Sequence, residues 1–258
     1  MAGTTVTVSN GAAVVRDYGT EVARGAVSTA EVFGAVGERT SGAAVTDVTI
    51  GPAEPYFIGA GGGQLSIVST SANDAAAGTG ARTIRLQCLD ANLDRVNVDV
   101  PMNGLTPVLT AATNIRWVNI SIVTTTGSGN KAAGVITASY SGNEVSRIAA
   151  SELLSQSTIR RVPAGKNFFC RTILAGMTSG AGQARGHVDL SSNEVDLEAF
   201  GSAGLFFTRG AVALQDGSDS LTLDPPVRFG PGTVVLMQIT ADKASYATGT
   251  YFGWLEDV

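Results

Sequence analysis

Charge is scarce in this chain: 15% of its 258 residues are charged, one residue is a histidine, two are cysteines and 6% are aromatic. Each shortage excludes something. Seventeen lysines and arginines stand against 22 aspartates and glutamates, for a net charge of −5. No basic cluster exceeds the pair Arg160-Arg161, so the cationic face that neutralises phosphate is missing and direct nucleic-acid binding is not expected. Low charge also removes the self-repulsion that keeps disordered chains open. No apolar run reaches the roughly 18–20 residues of a membrane helix. The opening MAGTTVTVSNG has neither the basic nor the apolar region of a signal peptide. Cys88 and Cys170, set in LQCL and FFCRTIL, read as two buried free thiols rather than a disulfide, which fits synthesis in a reducing cytoplasm. A globular chain of this length buries roughly 70–75% of its unfolded surface and needs no staple.

What is abundant is glycine, 32 residues, among many small and β-branched side chains, with 44% of residues apolar. That composition favours many short strands and tight turns. From Leu65 onward the hydrophobic period is mostly two. Ile84, Leu86 and Cys88 alternate with Arg85 and Gln87; Val96, Val98 and Val100 alternate with Asn97 and Asp99. Joined by the polar turn at 90–94, these form a hairpin with Leu86, Cys88, Val96 and Val98 on the buried face. Asn103-Gly104 is a second hairpin-type turn. Val118, Ile120 and Ile122 alternate again, and the turn at 126–130 leads into GVITA at 134–138. A second β-rich block follows from Thr158, with a strongly apolar strand at 168–174 and a last strand at 250–255. The fold class is therefore all-β: jelly-roll-like sandwiches, with blocks at 64–150 and 151–258.

Residues 1–63 look different and read as an extended N-terminal arm and linker. Val6 and Val8 suit a short strand. Val22, Ala26, Ala30 and Phe33 fall near one helical face, which suggests a helix within 20–39 that Gly25, Gly34 and Gly37 weaken. Gly51, Pro52, Pro55 and Gly61-Gly62-Gly63 read as a linker. Burying the few large side chains here yields only about 1.5–3 kcal/mol each, against roughly 1–2 kcal/mol per ordered backbone residue. The arm must therefore dock, on its own sandwich or on neighbouring subunits. Deletion of residues 1–50 is expected to leave the β body folded.

No chemical motif survives scrutiny. A catalytic triad or imidazole metal site would depend on His187, and no G-x-S-x-G elbow accompanies it. Ser128 and Lys131 spell S-x-x-K without its partner motifs. Asp90, Asn92 and Asp94 alternate like a calcium loop, but Arg95 and Pro101 stand where an EF-hand needs Gly and Glu; Asx-turn chemistry explains them. Asp216 and Asp219 are similar. The glycines at 59–63 and 78–80 lack the Lys-Ser/Thr of a phosphate loop. Asn119 begins a glycosylation sequon inside a strand and is expected to stay unmodified. No catalytic, metal or cofactor-binding residue is assigned. Aromatic residues gather in the second block, and the neighbours Phe206 and Phe207 must point to opposite faces. If both are covered, a second layer or subunit meets one of them.

The stretch 67–138 carries a resemblance. STSANDAAAGTGAR (69–82), LDANLD (89–94), NGLTPV (103–108), NIR (114–116), GSG (127–129) and GVITA (134–138) resemble a family of virion structural proteins of tailed phages and some large algal viruses. DYGTEVARGAV (17–27), VPAGK (162–166) and the terminal Gly253-Trp254 are similar to that family too, while IAAS at 148–151 departs from its I-P-A-G. The resemblance implies a virion role, fixes no location in the particle and supplies no catalytic residue; a non-enzymatic capsid decoration or cement protein is the first expectation. A tail or neck component and a glycan-binding module on the virion are the alternatives. On the decoration reading the expected partners are virion proteins such as the major capsid protein, with self-association, most simply as a trimer. No membrane or cofactor enters.

Overall fold

The computed structural model describes residues 5–9, 12–180, 182–193 and 206–258. The chain is built almost wholly of antiparallel strands, as the two-residue period requires. A hairpin of β1 (Thr5–Ser9) and β2 (Ala12–Arg16) comes first. A single turn and a half of helix follows, α1 (Tyr18–Ala23). Asp17 caps it, accepting from the Thr20 N–H at 3.1 Å. Then come β3 (Ala30–Ser41) and β4 (Val45–Thr49).

Seven strands make a first sandwich. They are β5 (Ser66–Ser69), β6 (Ala81–Asp90), β7 (Arg95–Pro101), β8 (Val108–Leu109), β9 (Ile115–Thr126), β10 (Ile136–Tyr140) and β11 (Asn143–Ile148). One sheet runs β7-β6-β9 and the other β11-β10-β5-β8. The expected hairpin has the register read from the alternation: Leu86 opposite Val98, Cys88 opposite Val96, Arg85 opposite Asp99. Ile84, Leu86, Cys88, Val98 and Val100 are buried in one core with Ile67 and Ile136, and Val96 packs against it. Arg85 and Asp99 pair on the outer face at 2.7 Å.

The remaining strands are β12 (Arg160–Arg161), β13 (Lys166–Thr178), β14 (Arg185–Asn193), β15 (Phe207–Gln215), β16 (Gly217–Phe229), β17 (Val234–Ala241) and β18 (Ser245–Asp257). They do not close a sandwich by themselves. One sheet is β16-β13-β18-β3, and the other has the path β17-β14-β15 with β4 and β12 both paired to β17. Taking β4 and β12 as one position, the eight strands have the order of a jelly roll. Its core holds Phe168, Ile173, Val188, Leu190, Val235, Met237 and Tyr251.

The N-terminal segment therefore docks on its own sandwich, and more deeply than an arm would. β3 pairs with β18 along its whole length, from Ala30 opposite Glu256 to Ser41 opposite Ser245. The helix expected within 20–39 is confined to Tyr18–Ala23, and the chain beyond Ala30 is strand. Gly34 and Gly37 show why. A β-carbon on Gly34 would lie 2.3 Å from the Tyr251 carbonyl, and one on Gly37 would lie 2.7 Å from the Ile50 carbonyl. They are close-approach glycines of a strand, not flaws in a helix. Deleting residues 1–50 would strip one strand from each sheet, which corrects the expectation of an intact body.

The first sandwich is thus inserted into a jelly-roll strand. The chain leaves at Ile50, builds residues 51–157, and returns at Thr158 beside the residue it left: the Thr158 N–H donates to the Ile50 carbonyl at 3.0 Å. Downstream, Arg160 and Arg161 pair with Val235 and Val234 on the same edge of β17 that β4 occupies at Gln238 and Ile239. Phe57, Leu89, Leu93, Trp117 and Val234 form a small third core where the two sandwiches meet.

Candidate functional site

The residues that carry the phage-protein resemblance converge on one buried carboxylate. Asp74 accepts from the Ser69 hydroxyl at 2.6 Å, from the Ala81 N–H at 2.7 Å, and from the Ala133 and Gly134 N–H groups at 2.8 and 2.9 Å. Its carbonyl accepts from the Gly104 N–H. Three motif segments, 69–81, 103–104 and 127–134, are therefore tied at one end of the inserted sandwich. The glycines between them allow the approach: a β-carbon on Gly80 would lie 2.1 Å from Asp74 Oδ1, and one on Gly78 would lie 2.0 Å from the Asn73 carbonyl. Gly127 and Gly129 donate to the Gly80 and Thr79 carbonyls. This pattern specifies a scaffold. Its carboxylate is fully committed to donors within the chain and is buried away from any ligand.

Other motif residues take structural roles as well. Asp90 Oδ1 accepts from the Asn92 and Asp94 N–H groups at 2.8 and 3.0 Å, with Leu93 at positive φ, which makes the 90–94 turn an Asx turn. The Asn119 amide faces the returning chain, where Oδ1 accepts from the Arg161 N–H and Nδ2 donates to its carbonyl. Cys88 and Cys170 are free and buried, and burial pushes both thiols up to about 12. They stay protonated at neutral pH and are poor nucleophiles. Asp216 lies at a tight turn with positive φ and accepts from the Ser179 hydroxyl.

The one basic pair lies inside. Arg161 is fully buried, with its guanidinium 5.6 Å over the Trp117 ring and its Nε donating to the Gly232 carbonyl at 3.0 Å. Arg160 is 3% exposed, and its Nη1 donates to the Ser157 and Ile159 carbonyls. Burial pushes its pKa below the usual arginine value, yet a guanidinium keeps its charge. It lines a cleft of about 390 Å³ between β3 and the β6-β7-β9 sheet, beside Gln87 and Asn97. The Arg95–Glu31 ion pair, 2.7 Å, joins the inserted sandwich to β3 across that cleft.

His187 is not isolated. Its Nε2 lies 3.3 Å from Asp189 Oδ2 on β14, and Asp47 of β4 brings a second carboxylate, with one ligand atom from each residue within 4.8 Å of the others. Asp47 was invisible to motif reasoning because 140 positions separate it from His187. It arrives through a β-bulge: the pairing of β4 with β17 shifts register between Ile239 and Ala241, and Asp47 takes φ +50°. Burial first, and Asp47 also, raise the Asp189 pKa, against the lowering effect of His187.

The aromatic neighbours divide as alternation demands. Phe206 packs into the inter-sandwich core near Phe57, while Phe207 is 47% exposed. On the outer face of the β16-β13-β18-β3 sheet, Trp254 is covered by Tyr18 of α1 and by Phe169, at ring distances of 5.5 and 5.9 Å. Leu174 and Phe252 lie uncovered on that sheet, 41% and 43% exposed.

No family model matches the chain, and no curated protein matches it. Among solved structures, it aligns with the structure of infectious bursal disease virus Gx strain at TM-score 0.25 and 8% identity, over 88% of this chain and 72% of that one. It aligns with the crystal structure of the VP2 subviral particle of infectious bursal disease virus at TM-score 0.18 and 12% identity, over 89% and 76%. Scores this low establish no common fold.

Proposed function

We propose that this chain is a structural protein of a virus particle, a decoration or cement subunit on the outside of a phage head. The observation that carries the proposal is the motif set 69–134, which resembles virion proteins and which here ties together one end of a sandwich inserted in a jelly roll. Jelly rolls recur in capsid and lectin domains, and fold alone assigns neither. What favours a structural role is how the motif residues are spent: on Asp74, on Asx turns and on close-approach glycines, all of them contacts within the chain. A cement subunit works by mass action, since each contact made only in the assembled shell stabilises assembly. The uncovered Leu174 and Phe252, with exposed Phe207, supply apolar surface for self-association or for the major capsid protein.

Quantitative mass spectrometry of purified particles tests this. Hundreds of copies per particle support a shell role. A dozen copies or fewer place the chain in the tail or neck instead. Saturable binding on a glycan array, with low copy number, favours the glycan-binding alternative.

A further inference from the structure

Among the described residues, Asp47, His187 and Asp189 are the one group of three or more potential metal ligands whose ligand atoms converge. Asp189 is 8% exposed although it points outward from its sheet. Among the described residues, its carboxylate has no hydrogen-bond donor and no cation other than His187. A buried carboxylate with a single, partly exposed imidazole for company is poorly compensated. A second carboxylate has also been brought against it, at a backbone conformation that costs a non-glycine residue energy. Among the described residues, no lysine or arginine forms an ion pair with either carboxylate.

We propose that Asp47, His187 and Asp189 bind a borderline divalent transition ion of the Zn²⁺ kind. One nitrogen and two carboxylate oxygens suit such ions, whereas Ca²⁺ and Mg²⁺ prefer all-oxygen sets. Ligands at about 2.0–2.2 Å from an ion lie within roughly 4.4 Å of one another, so a trio already within 4.8 Å needs little rearrangement. The outer support is in place. The Thr240 hydroxyl donates to Asp47 Oδ1 at 3.1 Å and accepts from the Asp47 N–H at 3.1 Å, and Gln238 Nε2 donates to the Asp47 carbonyl at 2.8 Å. Such partners orient metal ligands. Asp47 is exposed and His187 partly so, which leaves an entry path and an open position for water. The ion ties β4 to β14 across β17, three residues before the chain departs at Ile50 to build the inserted sandwich.

His187 is the only histidine, so the untagged full chain gives a single set of imidazole signals in proton NMR. Both cysteines are buried and do not compete. Titration with Zn²⁺ is expected to move those signals saturably and to raise Tm. Asp47→Asn and Asp189→Asn should each weaken the response tenfold or more, and Thr240→Val roughly 10–100-fold, the range for outer-shell partners. If Asp189→Asn fails to fold, the exposed Asp47 position still carries the test. Imidazole signals unmoved at millimolar Zn²⁺ would overturn the site. So would an unchanged midpoint in Asp47→Asn, which means a lone surface imidazole. A Ca²⁺ response equal to that of Zn²⁺ overturns the ion class. None of these outcomes depends on the virion role.

Discussion

Thr158 joins the two ends of an interrupted strand at Ile50: its hydroxyl donates to the Ile50 carbonyl at 2.8 Å and accepts from the Met237 N–H at 3.0 Å. β4 and β12 thereby run as one strand along β17, although the whole inserted sandwich lies between them in sequence. Thr158→Val keeps the shape and removes the hydroxyl, leaving the buried Met237 N–H without its acceptor. The expected loss is about 1–3 kcal/mol, the cost of an orphaned buried donor. Urea denaturation of the variant checks it, and wild-type stability would mean the seam is held by packing alone.

Asp74→Ala removes the acceptor of three buried or half-buried N–H groups and the Ser69 hydroxyl. At about 1–3 kcal/mol for each orphaned donor, the inserted sandwich should lose several kcal/mol and fray first at loops 69–81 and 127–134. Hydrogen exchange at Ala81, Ala133 and Gly134 reads this directly. Unchanged protection there would remove Asp74 from the centre of the scaffold.

Val98→Asp places a carboxylate opposite Leu86 in the inserted core. Burying an unpaired polar group costs roughly 2–7 kcal/mol, so cooperative melting should fall sharply. A melting curve like that of the wild type would contradict the hairpin register.

Truncation separates docked strand from dispensable leader. Removing residues 1–16 leaves both jelly-roll sheets whole. Removing 1–50 takes β3 from β18 and β4 from β17 and strips Ala35 and Ile50 from the core that holds Met237 and Tyr251. The shorter deletion should fold with native near-UV circular dichroism, and the longer one should not. A folded 51–258 fragment would show that β3 is an accessory.

Both thiols should resist a thiol-specific reagent such as Ellman's in the native protein at neutral pH and react stoichiometrically after unfolding, since burial raises their pKa values. Rapid labelling of the native chain would mean that Cys88 or Cys170 is reached by solvent.

How much of this was legible in the sequence follows from the range of the interactions. The hairpin 84–100 was readable because its pairing is local and its alternation uninterrupted. The all-β class followed from the same period and from glycine punctuation. β3 misled because Val22, Ala26, Ala30 and Phe33 fit a helical spacing by coincidence, while the glycines that mark a crowded strand identify themselves only beside β18 and Thr158. The insertion could not be read at all, since nothing in residues 45–50 says that residues 158–161 continue them. Asp74 was legible as part of a recurrent motif, but its role requires three loops brought together. The His187 cluster needed a bulge in a distant strand.

A cryo-electron microscopy map of the purified particle decides whether a jelly roll with an inserted sandwich is a subunit of the virion. The expected result is two-sandwich density repeated over the outer face of the head, with β3 paired to β18 and apolar contacts at Leu174 or Phe252. A particle that contains no peptide of this chain, and no such density on head or tail, would contradict it.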